Sequence, residues 1–299
     1  MIPDDKIVEL MLARASRARA RRADVAQQTY EEILERDEAS PRQKAVAAIN
    51  AGLLFARLHD PLGAIDRWSL VSAMRSVPFW LSCVAWMCRA ELRYQLEDAA
   101  GAVCDYTAVL CHAAIVETHQ EAVSDARVHV PVEWSPVELM GTAVVERGRA
   151  RMALGDEAGA FADIQGAQKV VGVSPRVITR SRMRLAEVQL LAGRHEELLL
   201  TVKLAIVRNA PLSYLRVLSA FALLDLGREG EAIFECDTGL TWVRSIERIN
   251  FLEKHLAEML RRPGVRVSVE GLSEIKDRLA WRRQELETYA PNRHSDRDI

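Results

Sequence analysis

The sequence predicts an all-α array of stacked helix pairs, and three observations carry that prediction. Six prolines, Pro3, Pro41, Pro78, Pro136, Pro175 and Pro211, recur at steps of 38, 37, 58, 39 and 36 residues. Some 21–24 residues after each stands Ala26, Ala64, Ala102, Ala160, Leu198 or Ala232, so five of the six landmarks are alanine. Just before most landmarks lies a short turn such as Leu154-Gly155-Asp156, separating two stretches with helical spacing of apolar residues. A period in the thirties marks a repeat in which one helix pair cannot bury its apolar face alone and must stack on its neighbours.

Taken in order, the units repeat one plan. The first is the weakest, with Ala26, Tyr30 and Ile33 on its second helix but Arg14 where a small residue is expected. The second has Gly52, the turn Leu58-His59-Asp60-Pro61, then Trp68 and Val71; Pro61 suits a first helical turn, where its missing N–H is not needed. The third has Ala90, Leu96-Glu97-Asp98, Tyr106 and Val109. In the fourth, Gly148 lets a neighbouring helix come close, Gly155 tolerates a left-handed C′ conformation, Asp156 caps the next helix, and Ala160, Ile164 and Ala167 share one face. The fifth and sixth turn at Ala192-Gly193-Arg194 and Leu226-Gly227-Arg228, with Ala186 and Ala220 as first small residues. Each proline is read as ending one pair.

Two segments break the rhythm. The 58-residue step contains a stretch from His112 to Ser135, whose Val128-His129-Val130-Pro131-Val132-Glu133-Trp134 portion is β-branched and proline-broken, so an irregular insert is expected. After Ala232 the period ends, and Val243, Ile246, Ile249, Leu252, Leu256 and Met259 form an amphipathic stripe. Arg262-Pro263-Gly264 interrupts it, and Leu272, Ile275, Leu279 and Leu286 form a second. A terminal repeat must cover its apolar face, so these helices read as a cap. The expected organisation is therefore an array over 3–241 with an insert at 112–135, a helical cap over 242–290 and a disordered tail over 291–299.

The 299 residues are 49% apolar and only 6% aromatic, which suits closely stacked helices packed by small aliphatics. Forty basic against 42 acidic side chains give a net charge of −2, arguing against a nucleic-acid binder. The opening Met-Ile-Pro-Asp-Asp has no apolar run after it, and the near-apolar stretch Val77 to Cys88 is short and broken by Pro78 and Ser82. Neither a secretory signal nor membrane insertion is expected. Five cysteines, an odd number inside helical patterns, fit a reduced cytoplasm.

The combination of period, turn and small residues resembles the tetratricopeptide repeat (TPR) family. Gly52, Ala90, Gly148, Ala186 and Ala220 match its first small position, the six landmarks its second, and Tyr30, Trp68 and Tyr106 its second-helix aromatic. The departures are units longer than the family's usual repeat, a first-helix Trp present only as Trp86, and Leu198 in place of Ala. The resemblance spans residues 3 to 241 and implies an all-α right-handed superhelical solenoid with C-terminal capping helices, whose first helices line a concave binding groove. It further implies a protein–protein interaction module, an adaptor or chaperone-like scaffold taking a peptide or helix.

Residues three before, one after and four after each first small residue are then expected to face the groove. Ile49, Leu53, Met87, Glu91, Tyr94, Met152, Met183 and Phe221 make that lining largely apolar, with adaptable methionines. Arg149, Arg180 and Arg184 are placed to hold an acidic group by bidentate pairing, with Glu187 giving orientation. Some TPR proteins hold a C-terminal carboxylate with a Lys/Asn/Arg set; only Asn50, Arg180 and Arg184 fall near such positions, so chaperone-tail binding is not expected. The bland alternative is that the apolar lining packs against the chain's own insert or cap. Other functional classes are a regulatory or sensor subunit binding a small ligand or signalling peptide, and a self-assembling scaffold or homo-oligomer.

Catalytic spacings are missing: there is no Gly-rich phosphate loop, H-E-x-x-H, C-x-x-C or G-x-S-x-G. Cys111, His112 and His119 are the nearest metal candidates, but surface or packing roles beside the insert explain them better. Glu196 and Glu197 read as helix-start carboxylates. The basic run Arg14, Arg17, Arg19, Arg21 and Arg22 is expected to be neutralised by Glu31, Glu32, Glu35, Asp37 and Glu38 of the next helix. No enzyme activity, cofactor or metal is expected.

Overall fold

A left-handed residue at the same place in five successive turns sets the architecture. His59, Glu97, Gly155, Gly193 and Gly227 have φ of 62°, 67°, 80°, 70° and 72°. Each ends one helix with a hydrogen bond from the following N–H to the carbonyl five residues back, as in Asp60 to Phe55 at 2.9 Å and Arg228 to Leu223 at 2.8 Å. Asp60, Asp98 and Asp156 then cap the next helix, accepting from the N–H of Gly63, Gly101 and Gly159 at 2.9, 2.8 and 2.9 Å. The turn thus closes one helix and opens the next within three residues.

The computed structural model describes residues 4–18, 22–116, 136–169, 172–206, 212–241, 249–250, 252–254, 257, 261 and 269–289. Among the described residues there is no strand. The helices are α1 (Asp4–Ala18), α2 (Ala23–Glu35), α3 (Pro41–Arg57), α4 (Pro61–Ala73), α5 (Phe79–Gln95), α6 (Ala99–Val116), α7 (Pro136–Ala153), α8 (Glu157–Ala167), α9 (Pro175–Leu191), α10 (His195–Ile206), α11 (Leu212–Asp225), α12 (Glu229–Thr241) and α13 (Val269–Tyr289). The chain divides into two compact units, Met1–Val177 and Ile178–Ile299.

In the first unit each helix from α1 to α8 packs on the next, and α1, α3, α5 and α7 also touch in series. That is the contact pattern of stacked helix pairs. The prolines mark the seams from the far side: Pro41, Pro136 and Pro175 are the first residues of α3, α7 and α9, and Pro78 is the N-cap of α5. They open pairs, with Ser40 and Gln43 forming a capping box around Pro41. Pro3 and Pro211 lie outside the described residues.

Small residues set how closely the helices approach. A Cβ on Gly148 would stand 2.6 Å from Ile164 Cγ1 and 3.0 Å from the Ala160 carbonyl oxygen, so the fourth pair closes on a bare backbone. Gly52 makes the same room for the Trp68 indole, whose Nε1 donates to the Ile49 carbonyl at 3.3 Å.

A repeated ionic brace accompanies the apolar packing. Arg89 of α5 donates to both Asp105 carboxylate oxygens of α6 at 2.9 and 2.6 Å, and to Ser69 Oγ of α4 at 2.9 Å. Fifty-eight residues on, Arg147 of α7 grips Asp163 of α8 at 2.8 and 2.7 Å and reaches Thr107 of α6 at 3.4 Å. Each arginine fastens its own pair and ties it to the preceding one. With α6 packed on α7, the third and fourth pairs are consecutive. Helix α6 continues to Val116, so the start of the expected 112–135 insert is helical, and 117–135 lies outside the described residues.

In the second unit α10 packs on α11, α11 on α12 and α12 on α13. Ile249, Leu252, Ile275 and Leu279 are buried in one core with Leu198, Leu218 and Phe221. Arg283 of α13 holds the 249–254 segment by donating to Asn250 Oδ1 at 2.6 Å and to the Glu253 carboxylate. Val243, Ile246, Leu256, Met259 and the 291–299 tail lie outside the described residues.

Substituting Gly148→Ala is expected to lower unfolding stability by about 1–3 kcal/mol through overpacking. Glu97→Gly is expected to raise it by about 1 kcal/mol by relieving the left-handed backbone. Urea titrations followed by circular dichroism check both.

Candidate partner-binding groove

In the first unit α5 and α7 bring three of the expected groove residues together. The Arg149 guanidinium lies 4.0 Å from the Tyr94 ring centroid, in cation–π range. It stands 3.8 Å from Glu91 and 3.6 Å from Glu146, three residues back on its own helix. Tyr106 of α6 donates its hydroxyl to Glu91 Oε2 at 3.3 Å. Burial, then the Glu91 and Glu146 charges, hold that phenol well above its ordinary pKa, so it remains a donor.

This geometry reverses the polarity read from the sequence. Arg149, with a side chain 8% exposed, is enclosed by two carboxylates of its own unit and is not presented to an incoming acid. The group that faces solvent is Glu91, 43% exposed. Leu53 and Met152 are half-buried at the corresponding faces of α3 and α7, whereas Met87 and Tyr94 are buried. Ile49 and Asn50 are fully enclosed; they wall the core between α3 and its neighbours and offer no contact surface.

The second unit repeats the theme. Glu187 of α9 accepts from Arg184 Nη1 at 3.0 and 2.9 Å and from the Tyr214 hydroxyl of α11. Glu187 is buried, so the Arg184–Glu187 pair is satisfied within the unit. Arg180 and Met183 are half-buried, and Phe221 belongs to the core. In both units a glutamate directly after the first small residue, Glu91 or Glu187, accepts from a tyrosine hydroxyl. Sequence reasoning missed Glu146, Tyr106 and Tyr214. Only the three-residue spacing of Glu146 and Arg149 signalled any of these contacts in advance.

The remaining candidates resolve as packing or surface features. His112 stacks on Phe79 with centroids 5.2 Å apart and 7° between planes, and lies 5.0 Å from Trp86. Cys111 is exposed, and His119 lies outside the described residues. Among the described residues no three His, Cys, Asp or Glu side chains are grouped to hold a metal ion. Glu31 pairs with Arg67 of α4 at 3.0 Å, not with α1, and Glu32 accepts from Gln28 at 3.1 Å. Arg22 pairs with Asp24 at 3.8 Å; Arg19 and Arg21 lie outside the described residues. Glu197 and Glu196 open α10 beside Arg194 and Arg228, at 3.8 and 4.0 Å. Among the described residues no helix is long and apolar enough to cross a membrane.

Comparison with solved structures places the architecture. A tetratricopeptide repeat protein from Parabacteroides merdae aligns over 96% of this chain and 95% of its own, with a TM-score of 0.62 at 14% identity. A TPR repeats protein from Bacteroides fragilis covers 84% of this chain and 98% of its own, with a TM-score of 0.34 at 13% identity. The chain has the TPR-like all-α fold of antiparallel helix pairs. No protein-family model matches the sequence. No curated protein matches it either.

Arg149→Met is expected to cost about 3 kcal/mol in urea unfolding, because it leaves buried Glu146 beside Glu91 without their shared cation. Burial pushes the Cys83 and Cys236 thiols up to about 12, with Asp237 adding to the shift at Cys236. Alkylation of the native protein at mildly alkaline pH is therefore expected to label exposed Cys104 and Cys111 and to reach Cys83 and Cys236 only after unfolding, as read by peptide mass mapping.

Proposed function

We propose that this protein is a protein–protein interaction module, an adaptor or chaperone-like scaffold of the cytoplasm that takes a peptide or helical segment on the face formed by α3, α5 and α7. The observation that carries the reading is Glu91 of α5, a solvent-facing carboxylate fixed by Tyr106 and Arg149, with half-buried Leu53 and Met152 on the flanking helices α3 and α7. A charged group held rigidly among adaptable apolar side chains gives a partner both orientation and area without much ordering cost. The function is recognition, and no group here is assigned a catalytic role. The repeat array over 3–241, capped by 242–290, serves as the scaffold for that face.

Glu91→Gln keeps an acceptor for the Tyr106 hydroxyl and sets no second cation beside Arg149, and Met152→Asp changes a half-exposed side chain. Each is expected to weaken capture of the principal partner at least about tenfold in quantitative pull-downs, with thermal stability nearly unchanged. Partner capture that is the same for wild type and both variants would remove this face from consideration.

A further inference from the structure

A cleft of about 630 Å³ lies between α12 and α13 in the second unit, with Trp281 on its rim. That indole is 63% exposed. Four carboxylates line the cleft against two guanidiniums. Arg278 is shared between Asp237, at 2.6 Å, and Glu274, at 3.1 Å, while Arg282 pairs with Glu285. Asp277 is exposed and makes no ion pair among the described residues, one helical turn from Trp281. An acidic surplus beside an exposed indole suits an arginine-bearing surface, since a guanidinium both pairs with carboxylate and stacks on an aromatic face.

The first unit carries such a surface. On α1 the exposed positions are Lys6, Leu10, Arg14 and Arg17, spaced by four, four and three residues. Leu10 is 59% exposed. On α13, read in the opposite direction, Glu285, Trp281, Asp277 and Glu274 have the same spacing. Two helices laid antiparallel would set Lys6 against Glu285, Leu10 against Trp281, Arg14 against Asp277 and Arg17 against Glu274. Each step on either helix spans three or four residues, roughly 4.5–6 Å, so the register holds along the whole contact.

We propose that the α12–α13 cleft of one copy receives α1 of a second copy in this antiparallel register. The contact joins unlike surfaces, so a joined pair of copies still carries one unfilled cleft and one unengaged α1 through which further copies add. It is independent of the α3–α5–α7 face and stands or falls separately from the partner-binding reading.

The test is sedimentation velocity on the full chain, over a wide concentration range at low and high salt. Wild type is expected to show a mass that rises with concentration and falls with added salt. Arg14→Glu and Asp277→Arg, each at an exposed position, are expected to weaken self-association at least about tenfold. Trp281→Ala is expected to do the same without altering the salt dependence. Mixing the Arg14→Glu and Asp277→Arg proteins restores opposite charges at both junctions the two can form, so association is expected to return towards that of wild type, and failure to recover would overturn the proposed register. Wild type that remains monomeric throughout would overturn the proposal, whether the cleft is then filled by another protein or by nothing. Association that survives all three substitutions would also overturn it.

Discussion

The interaction on which the structure depends is the close approach of two helix backbones at a position with almost no side chain. Gly148 over Ala160 and Ile164 fixes one pair, and Gly52 under Trp68 fixes another. Once backbones are that near, the remaining geometry has little freedom. The turn must reverse direction within three residues, which demands the left-handed residue and an immediate cap. The aliphatic faces on either side must then interdigitate at the density of a protein interior. Trp68 shows the economy of the arrangement, because the space left by Gly52 lets its indole nitrogen reach the Ile49 carbonyl and so satisfies that buried donor.

Charge is organised on the same scaffold but by a different rule. Arginines on first helices reach acids on second helices, as in Arg89 with Asp105 and Arg147 with Asp163, and these pairs are shielded from water. Shielded pairs demand full hydrogen bonding, and the bidentate geometry supplies it. Glu91 and Arg149 depart from that rule, since both stand on first helices, 3.8 Å apart, where one member faces solvent and the other is enclosed. That asymmetry gives the candidate binding face its acidic character.

Period, turns and small positions were legible in the sequence because each answers a local demand. Leu154-Gly155-Asp156 states its own geometry, and Leu96-Glu97-Asp98 could be aligned with it although Glu97 adopts a left-handed conformation that glycine would accept more readily. The site was less legible. Arg89 and Asp105 are sixteen residues apart on different helices, and nothing in their spacing announces the pair. Arg149 read as a cation awaiting an anion because Glu91 belongs to another repeat. Ile49 and Phe221 were expected at a surface, since a periodic pattern distinguishes the inner face of a helix from the outer but not a lining from the wall behind it.

The three-way arginines have a mechanical meaning. In a one-dimensional array, cooperativity is set by how much each repeat gains from its neighbour relative to its own stability. Arg89 spans α4, α5 and α6, and Arg147 spans α6, α7 and α8, so the two braces meet on α6. The block from α4 to α8 is thus tied by two three-way arginines, whereas the leading pairs are joined by two-way contacts, Arg67 of α4 with Glu31 of α2 at 3.0 Å and Gln43 of α3 donating to Glu9 of α1 at 3.3 Å. Coupling between neighbouring repeats is therefore expected to be strongest from α4 to α8, where one charged side chain answers to three helices at once.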